Sequence, residues 1–171
     1  MEGPGTVRHD RMGTRVHWEL CKKYKIQVSD RWFEHKPQDV CSDEVGQVKI
    51  FWNMHHQTNE RVKHNKPDVV IDDKINNLVT IIDFAVPLDH NIVKTEQIKI
   101  DRYQALAQDF RLKSKGRCKT KIIPVVVGAF GSIPKNLPQY LEELGIPDVV
   151  GGLQKTALLG TRRILKNTLS L

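Results

Sequence analysis

Three ionisable residues stand where the surrounding pattern calls for apolar side chains. Asp68 precedes the apolar run 69–71, and Asp83 follows the apolar run 78–82. Lys99 lies on the apolar side of a predicted helix. Isolated charged side chains are costly to bury, so a group of them in core-like segments indicates a functional site.

The two apolar runs are predicted to pair as a β-hairpin. Residues 72–77 separate them and are rich in turn-forming types. With the turn centred at Ile75-Asn76, the numbers of facing residues add up to 151, so Asp68 faces Asp83. Directly opposed side chains have Cβ atoms about 4.5–5.5 Å apart. Two carboxylates at that distance repel each other, and one keeps a proton unless a cation lies between them. A one-residue slip would send them to opposite faces.

The segment 93–112 has helical periodicity, and it carries Lys99 on its apolar face together with Tyr103, Leu106 and Phe110. Lysine is rarely buried without a partner. Either the Lys99 amine extends past the edge of this face into solvent, or it pairs with the two acids. Tyr103 either packs in the core or hydrogen-bonds to Lys99 or to a scissile phosphate.

A divalent cation is the natural neutraliser of two adjacent carboxylates. Mg²⁺ prefers oxygen ligands and commonly takes one or two carboxylates from the protein, with water and substrate phosphate completing its shell. Such an ion activates water and stabilises charge on a phosphate, and a neighbouring lysine adds to that stabilisation. Asp68, Asp83 and Lys99 therefore suit phosphodiester hydrolysis.

The sequence around these residues resembles the restriction-like, PD-(D/E)xK endonuclease domain at the C-terminus of site-specific non-LTR retrotransposons. The resemblance extends over residues 8–166. The segments that carry it are Pro67-Asp68 with the following valines, residues 81–87, Lys99 with Tyr103-Gln104, residues 123–129 and residues 153–161. The usual motif places its lysine two residues after the second acid, where this chain has Ala85, and Lys99 matches the placement on the next helix in the retrotransposon branch.

The resemblance implies a restriction-endonuclease-like α/β (α+β) fold, with a central mixed sheet flanked by helices. It implies a metal-dependent endonuclease that nicks double-stranded DNA, with Mg²⁺ or Mn²⁺ held by Asp68 and Asp83, the Phe84 carbonyl as a further ligand, and Lys99 as a catalytic residue. Glu19 and Tyr103 are auxiliary candidates. Retroelement RNA or other parts of a parent polyprotein are further possible partners, and the expected location is nuclear or nucleocytoplasmic. A catalytically inactive DNA- or RNA-binding relic is the alternative.

Composition is consistent with a nucleic-acid partner. The chain has 171 residues and a formal net charge of +7, and a basic balance favours polyanions. We expect a disordered segment 1–5 and a single domain over 6–171, with element order α-β-β-β-α-β-α-α. Basic side chains on the first and last predicted helices either form a solvated face or contact nucleic acid; they are Arg8, Arg11, Arg15, Lys22, Lys155, Arg162 and Lys166.

Cysteine and histidine spacing does not predict a zinc site. The three cysteines are Cys21, Cys41 and Cys118, and no two of them form a CxxC pair. His9 and His17 lie near the apolar side of the first predicted helix and are interpreted as core or rim histidines. The longest apolar run, 122–130, contains proline and glycine and is too short to span a bilayer.

Overall fold

The computed structural model describes residues 4–170 as a mixed α/β arrangement in which helices flank a five-stranded sheet. The strands, in sheet order and in chain order, are β1 (Val40–Ser42), β2 (Val48–Trp52), β3 (Val69–Asp73), β4 (Leu78–Ala85) and β5 (Lys119–Val126). The helices are α1 (Pro4–Lys23), α2 (Ile92–Arg102), α3 (Gln104–Lys113), α4 (Leu137–Glu143) and α5 (Val150–Thr168). Strands β1 to β4 pair antiparallel, and β5 pairs parallel to β4.

The sheet buries both of its faces. On one face, side chains such as Ile50, Ile82 and Val125 form a core with residues of α1, α4 and α5. On the other face, Val70 and Ile81 pack against α3 and against the residue that precedes it. A strand covered on both sides needs a nearly continuous apolar sequence, and β4 has six consecutive buried residues, 79–84. Of these, Asp83 is the charged one.

The predicted hairpin register is confirmed. Val69 pairs with Ile82 and Asp73 with Leu78, so the numbers of facing residues add up to 151 as the turn position requires. One step beyond the Val69–Ile82 pair, toward the open end of the hairpin, Asp68 comes opposite Asp83. The one-residue slip that would have separated the two acids does not occur.

Three features differ from the predicted element order. The predicted helix 93–112 is two helices, because Tyr103 leaves helical geometry at φ −102° and ψ 7° and its N–H bonds to the Asp101 carbonyl. Strand β1 is additional: it has three residues with little burial, which leaves no apolar pattern to detect. Pro4 and Gly5, predicted to be disordered, begin α1, and residues 1–3 of that segment lie outside the described residues.

In the described part of the chain, no helix combines the length and the apolar character needed to cross a membrane.

Candidate active site

Asp68 and Asp83 meet at the open end of the β3–β4 hairpin. The backbone N–H of Asp68 donates to Asp83 Oδ1 at 3.3 Å, and the N–H of Phe84 donates to Asp68 Oδ2 at 2.8 Å. Pro67, which has no N–H to donate, is buried just before the pair. The hairpin backbone itself therefore holds the two carboxylates side by side.

Lys99 and Tyr103 approach Asp83 from the α2 side. Residues four apart lie on one face of a helix, and here both reach the same carboxylate. Lys99 Nζ lies 2.5 Å from Asp83 Oδ2, and its side chain is 15% exposed. The Tyr103 hydroxyl donates to Asp83 Oδ1 at 2.9 Å. Lys99 is thus a paired lysine rather than one that extends into solvent, and Tyr103 both packs in the core and binds the acid.

His9 is a fourth charged member that the sequence interpretation missed. It lies on α1, and its Nε2 is 3.1 Å from Asp68 Oδ2, while its Nδ1 is 3.0 Å from Asp10 Oδ1. The hydrogen bond to Asp68 raises the pKa of His9 to about 9, so the ring is cationic at neutral pH. No local sequence pattern links a histidine on α1 to an acid 59 positions later; its place on a partly apolar helix face was the available signal.

The two acids differ in proton affinity. Burial raises the pKa of Asp83, and the nearby charge of Asp68 raises it further, against the opposing effect of Lys99. Burial alone would raise the pKa of Asp68 as well, but His9 and the Phe84 N–H bring it below its ordinary value. A raised pKa for one of two adjacent carboxyl groups is the effect expected of their mutual repulsion.

The residues fit a hard divalent cation. Asp83 Oδ2 is buried and accepts no hydrogen bond of standard geometry from the described part of the chain; it forms the ion pair with Lys99. Two neighbouring carboxylates, one with an oxygen in this state, provide the all-oxygen ligands that Mg²⁺ and Mn²⁺ prefer. Asp68 and Asp83 are therefore the side chains that would hold such an ion.

Glu19 is not brought to this site. It lies ten residues beyond His9 on α1, about 15 Å along the helix axis. Its carboxylate contacts Arg15 and Lys22 at 3.9 Å and 3.8 Å, so its predicted auxiliary role has no geometric support.

The basic residues chosen from the sequence fall into two groups. Arg8 is a packing residue: it donates to Thr161 Oγ1 at 2.7 Å and to the Val86 carbonyl at 3.1 Å, which joins α1 to α5 and to the end of β4. The guanidinium of Arg15 stacks over the Trp32 ring at 5.2 Å. The five residues with exposed side chains are Arg11, Lys22, Lys155, Arg162 and Lys166.

A cavity of about 470 Å³ lies away from the acids, between α5 and the loop after β5. Phe130, Leu158 and Leu165 supply its apolar wall, and Arg162 and Lys166 its basic edge. None of Asp68, Asp83 and Lys99 lines it, so the charged cluster and not this cavity is the candidate active site.

No protein-family model matches the chain, and no curated protein matches it.

Proposed function

We propose that this chain is a metal-dependent DNA endonuclease domain derived from a non-LTR retrotransposon, which hydrolyses phosphodiester bonds and nicks its target. The observation that carries the proposal is the meeting of Asp68, Asp83 and Lys99 in one cluster, with the Lys99 amine 2.5 Å from Asp83. Buried ionisable groups that perturb one another's pKa values are typical of catalytic sites, and the sequence resemblance points to the same three residues.

The fold supports the same proposal at a coarser level. A meander of antiparallel strands, β2 to β4, is followed by helices and by the parallel strand β5. That succession is the one expected of a restriction-endonuclease-like core, in which both acids come from adjacent strands and the lysine from the next helix.

Each residue then has a distinct role. Asp68, Asp83 and the Phe84 carbonyl would hold Mg²⁺ or Mn²⁺, which when bound supplies positive charge to the phosphate and acidity to water. Lys99 orients the attacking water and neutralises charge that develops on the phosphate. The Tyr103 hydroxyl fixes the Asp83 carboxylate, and His9 fixes the Asp68 carboxylate. Hydrolysis leaves a free 3′ end, from which reverse transcription starts in the parent elements.

Double-stranded DNA is the proposed substrate, and the nucleus its proposed place of action. The net charge of +7 favours association with a polyanion. The exposed members of the basic set, which include Lys155, Arg162 and Lys166 on α5, are available to contact phosphates.

A plasmid-nicking assay tests the proposal. Supercoiled DNA is incubated with the chain in Mg²⁺, in Mn²⁺ and in EDTA, and the relaxed form is quantified. We expect nicking that requires metal and is lost in Asp83→Asn, which keeps the side-chain shape. Asp72→Asn is the matched control, since Asp72 lies on the same hairpin but pairs with Val79 and should leave the rate unchanged. Nicking by Asp83→Asn at the wild-type rate would refute the assignment.

An inactive nucleic-acid-binding relic is the second candidate, and one observation favours it. Both acids already have cationic partners, Lys99 for Asp83 and His9 for Asp68, so the cluster is neutralised without a metal. This candidate predicts DNA binding that weakens with salt, at a log–log slope of about −0.9 per neutralised phosphate, and no cleavage in any metal.

A further inference from the structure

Two histidines and two cysteines meet at a place distant in sequence from the acid–lysine cluster. His17 and Cys21 are one turn apart on α1 and are each 1% exposed. His35 follows a short 3₁₀ turn, Trp32–Glu34, and Cys41 lies on the edge strand β1. Both of these are half-buried.

Two of the separations between their donor atoms match those of a metal-ligand set. Cys21 Sγ lies 3.7 Å from Cys41 Sγ and 3.5 Å from His17 Nδ1. Tetrahedral zinc, with bonds of about 2.3 Å to sulfur and 2.05 Å to nitrogen, sets its ligand atoms about 3.8 Å (S to S) and 3.6 Å (S to N) apart. The donor atoms of His17, Cys21 and His35 all lie within 4.8 Å of one another.

Two further contacts complete the arrangement. Cys41 Sγ lies 3.8 Å from His17 Nε2, which is the ring nitrogen that Cys21 and His35 do not contact. His17 Nδ1 and His35 Nε2 are 2.7 Å apart, as a hydrogen bond, and metal ligation would widen that separation to about 3.3 Å. Small shifts of the half-buried side chains of His35 and Cys41 would therefore convert this group into a four-ligand set.

We propose that His17, Cys21, His35 and Cys41 form a structural zinc site. Thiolate and imidazole ligands select zinc over Mg²⁺, which prefers oxygen, so this site is chemically distinct from the two acids. A His₂Cys₂ donor set is a complete tetrahedral shell with no position open to substrate. The site is structural rather than catalytic for that reason.

The spacing agrees with this assignment once the ligands are known. Three residues separate His17 from Cys21, and five separate His35 from Cys41. Short ligand pairs of this kind, joined by a longer connection, are typical of structural zinc sites. The spacing alone does not predict this site, because each short pair here combines one histidine with one cysteine.

The zinc site would connect three parts of the chain, namely α1, the segment 24–39 and β1. Strand β1 is short and lies at the edge of the sheet, and the segment 24–39 before it contains a single 3₁₀ turn. Zinc bound to four residues from these parts would fix both of them to α1. Metal binding then contributes to folding at this edge of the sheet.

Metal content of the full chain tests the proposal directly. The chain is expressed with added zinc, purified under reducing conditions without chelator, desalted and analysed by elemental mass spectrometry. We expect about one tightly held zinc per chain. Replacement by Co²⁺ should give the red-region bands of tetrahedral cobalt and a thiolate charge-transfer band in the near ultraviolet. Zinc that is absent, or that is removed by desalting alone, overturns the proposal.

Matched variants assign the ligands. Cys41→Ser changes a half-buried residue at the sheet edge, so we expect it to fold while it loses most of its zinc and part of the charge-transfer band. Cys118→Ser, at a half-buried cysteine bonded to the Phe110 carbonyl, should retain both. If Cys41→Ser and Cys118→Ser retain equal amounts of zinc, the role of Cys41 as a ligand is overturned. Mass spectrometry of wild type tests the site even if Cys21→Ser fails to fold.

This inference does not rest on the proposed function. Asp83→Asn should keep its full zinc content whether or not it nicks DNA, and loss of zinc from that variant would contradict the separation of the two sites. EDTA alone cannot distinguish them, because it removes metal from both.

Discussion

Removal of the Lys99 charge is the sharpest test of the cluster geometry. Asp83 is 4% exposed and lies beside Asp68, and Lys99 at 2.5 Å is the cation in contact with it. In Lys99→Met the apolar stem is retained and the amine is lost. Breaking a buried ion pair by removal of one partner costs about 3–5 kcal/mol. Since Lys99 is 15% exposed, we expect Lys99→Met to lower the free energy of unfolding by about 2–4 kcal/mol, as measured by urea denaturation at neutral pH.

A double-mutant cycle measures the coupling energy between Lys99 and Asp83 apart from their other contacts. Asp83→Asn removes the repulsion between the two acids as well as the attraction to Lys99, so it should cost about 1 kcal/mol. If the ion pair is formed, the double variant should be more stable than additivity predicts, by about 2 kcal/mol. The comparison cycle uses Lys121 and Glu143, which are 2.8 Å apart but 47% and 30% exposed. Their coupling should be about 0–1 kcal/mol.

The stability deficit of Lys99→Met should change with pH in one direction only. Lys99 opposes the raised pKa of Asp83, so Lys99→Met raises that pKa further. A carboxyl with a raised pKa in the folded state destabilises the fold as pH rises above its unfolded value. The deficit of Lys99→Met should therefore shrink as pH is lowered. A coupling energy below about 0.5 kcal/mol, or a deficit that grows in acid, would refute the buried ion pair.

Two further substitutions test neighbouring groups. Tyr103→Phe removes a hydrogen bond to Asp83 and should destabilise the chain by about 1–2 kcal/mol in urea denaturation. Tyr140→Phe, at a half-buried tyrosine on α4, should cost less than about 0.5 kcal/mol. Burial raises the pKa of Glu96, and its buried Oε1 has no hydrogen-bond partner within residues 4–170, so Glu96→Gln should add about 1 kcal/mol at pH 7. That gain should vanish once pH falls below the ordinary glutamate value of 4.5, and a gain that persists in acid would exclude ionisation as its cause.

The predictable parts of the site are local in sequence. The turn centred at Ile75-Asn76 determines which residues of β3 and β4 face each other, so Asp68 and Asp83 could be paired from the sequence. The four-residue step from Lys99 to Tyr103 places both on one helix face in any helix. The break at Tyr103 was not predictable from periodicity, because the apolar pattern continues across it into α3.

The unpredicted parts depend on how α1 crosses the sheet. His9 reaches Asp68, and His17 reaches Cys41, only after α1 has packed against β2 and β4. No local pattern in the sequence predicts that packing, since the contacting residues are 59 and 24 positions apart. Strand β1, which carries Cys41, is too short to show a periodic signal. Both missed contacts therefore have one cause, the placement of the first helix.

The charge of the cluster explains why the two proposed functions share the same residues. With both acids ionised, Asp68 and Asp83 carry two negative charges, which Lys99 and the protonated His9 balance. The fold can therefore hold the acids together without a metal, as an inactive relic would require. A divalent ion added to this balanced cluster leaves an excess of positive charge, and a DNA phosphate supplies the compensating anion. Metal and substrate should thus favour each other's binding, since Mg²⁺ in proteins commonly completes its shell with substrate phosphate. Under the proposed nuclease function, a metal held by Asp68 and Asp83 would supply the counter-charge of Asp83, and the Lys99 amine, which pairs with Asp83 here, would be available to the phosphate.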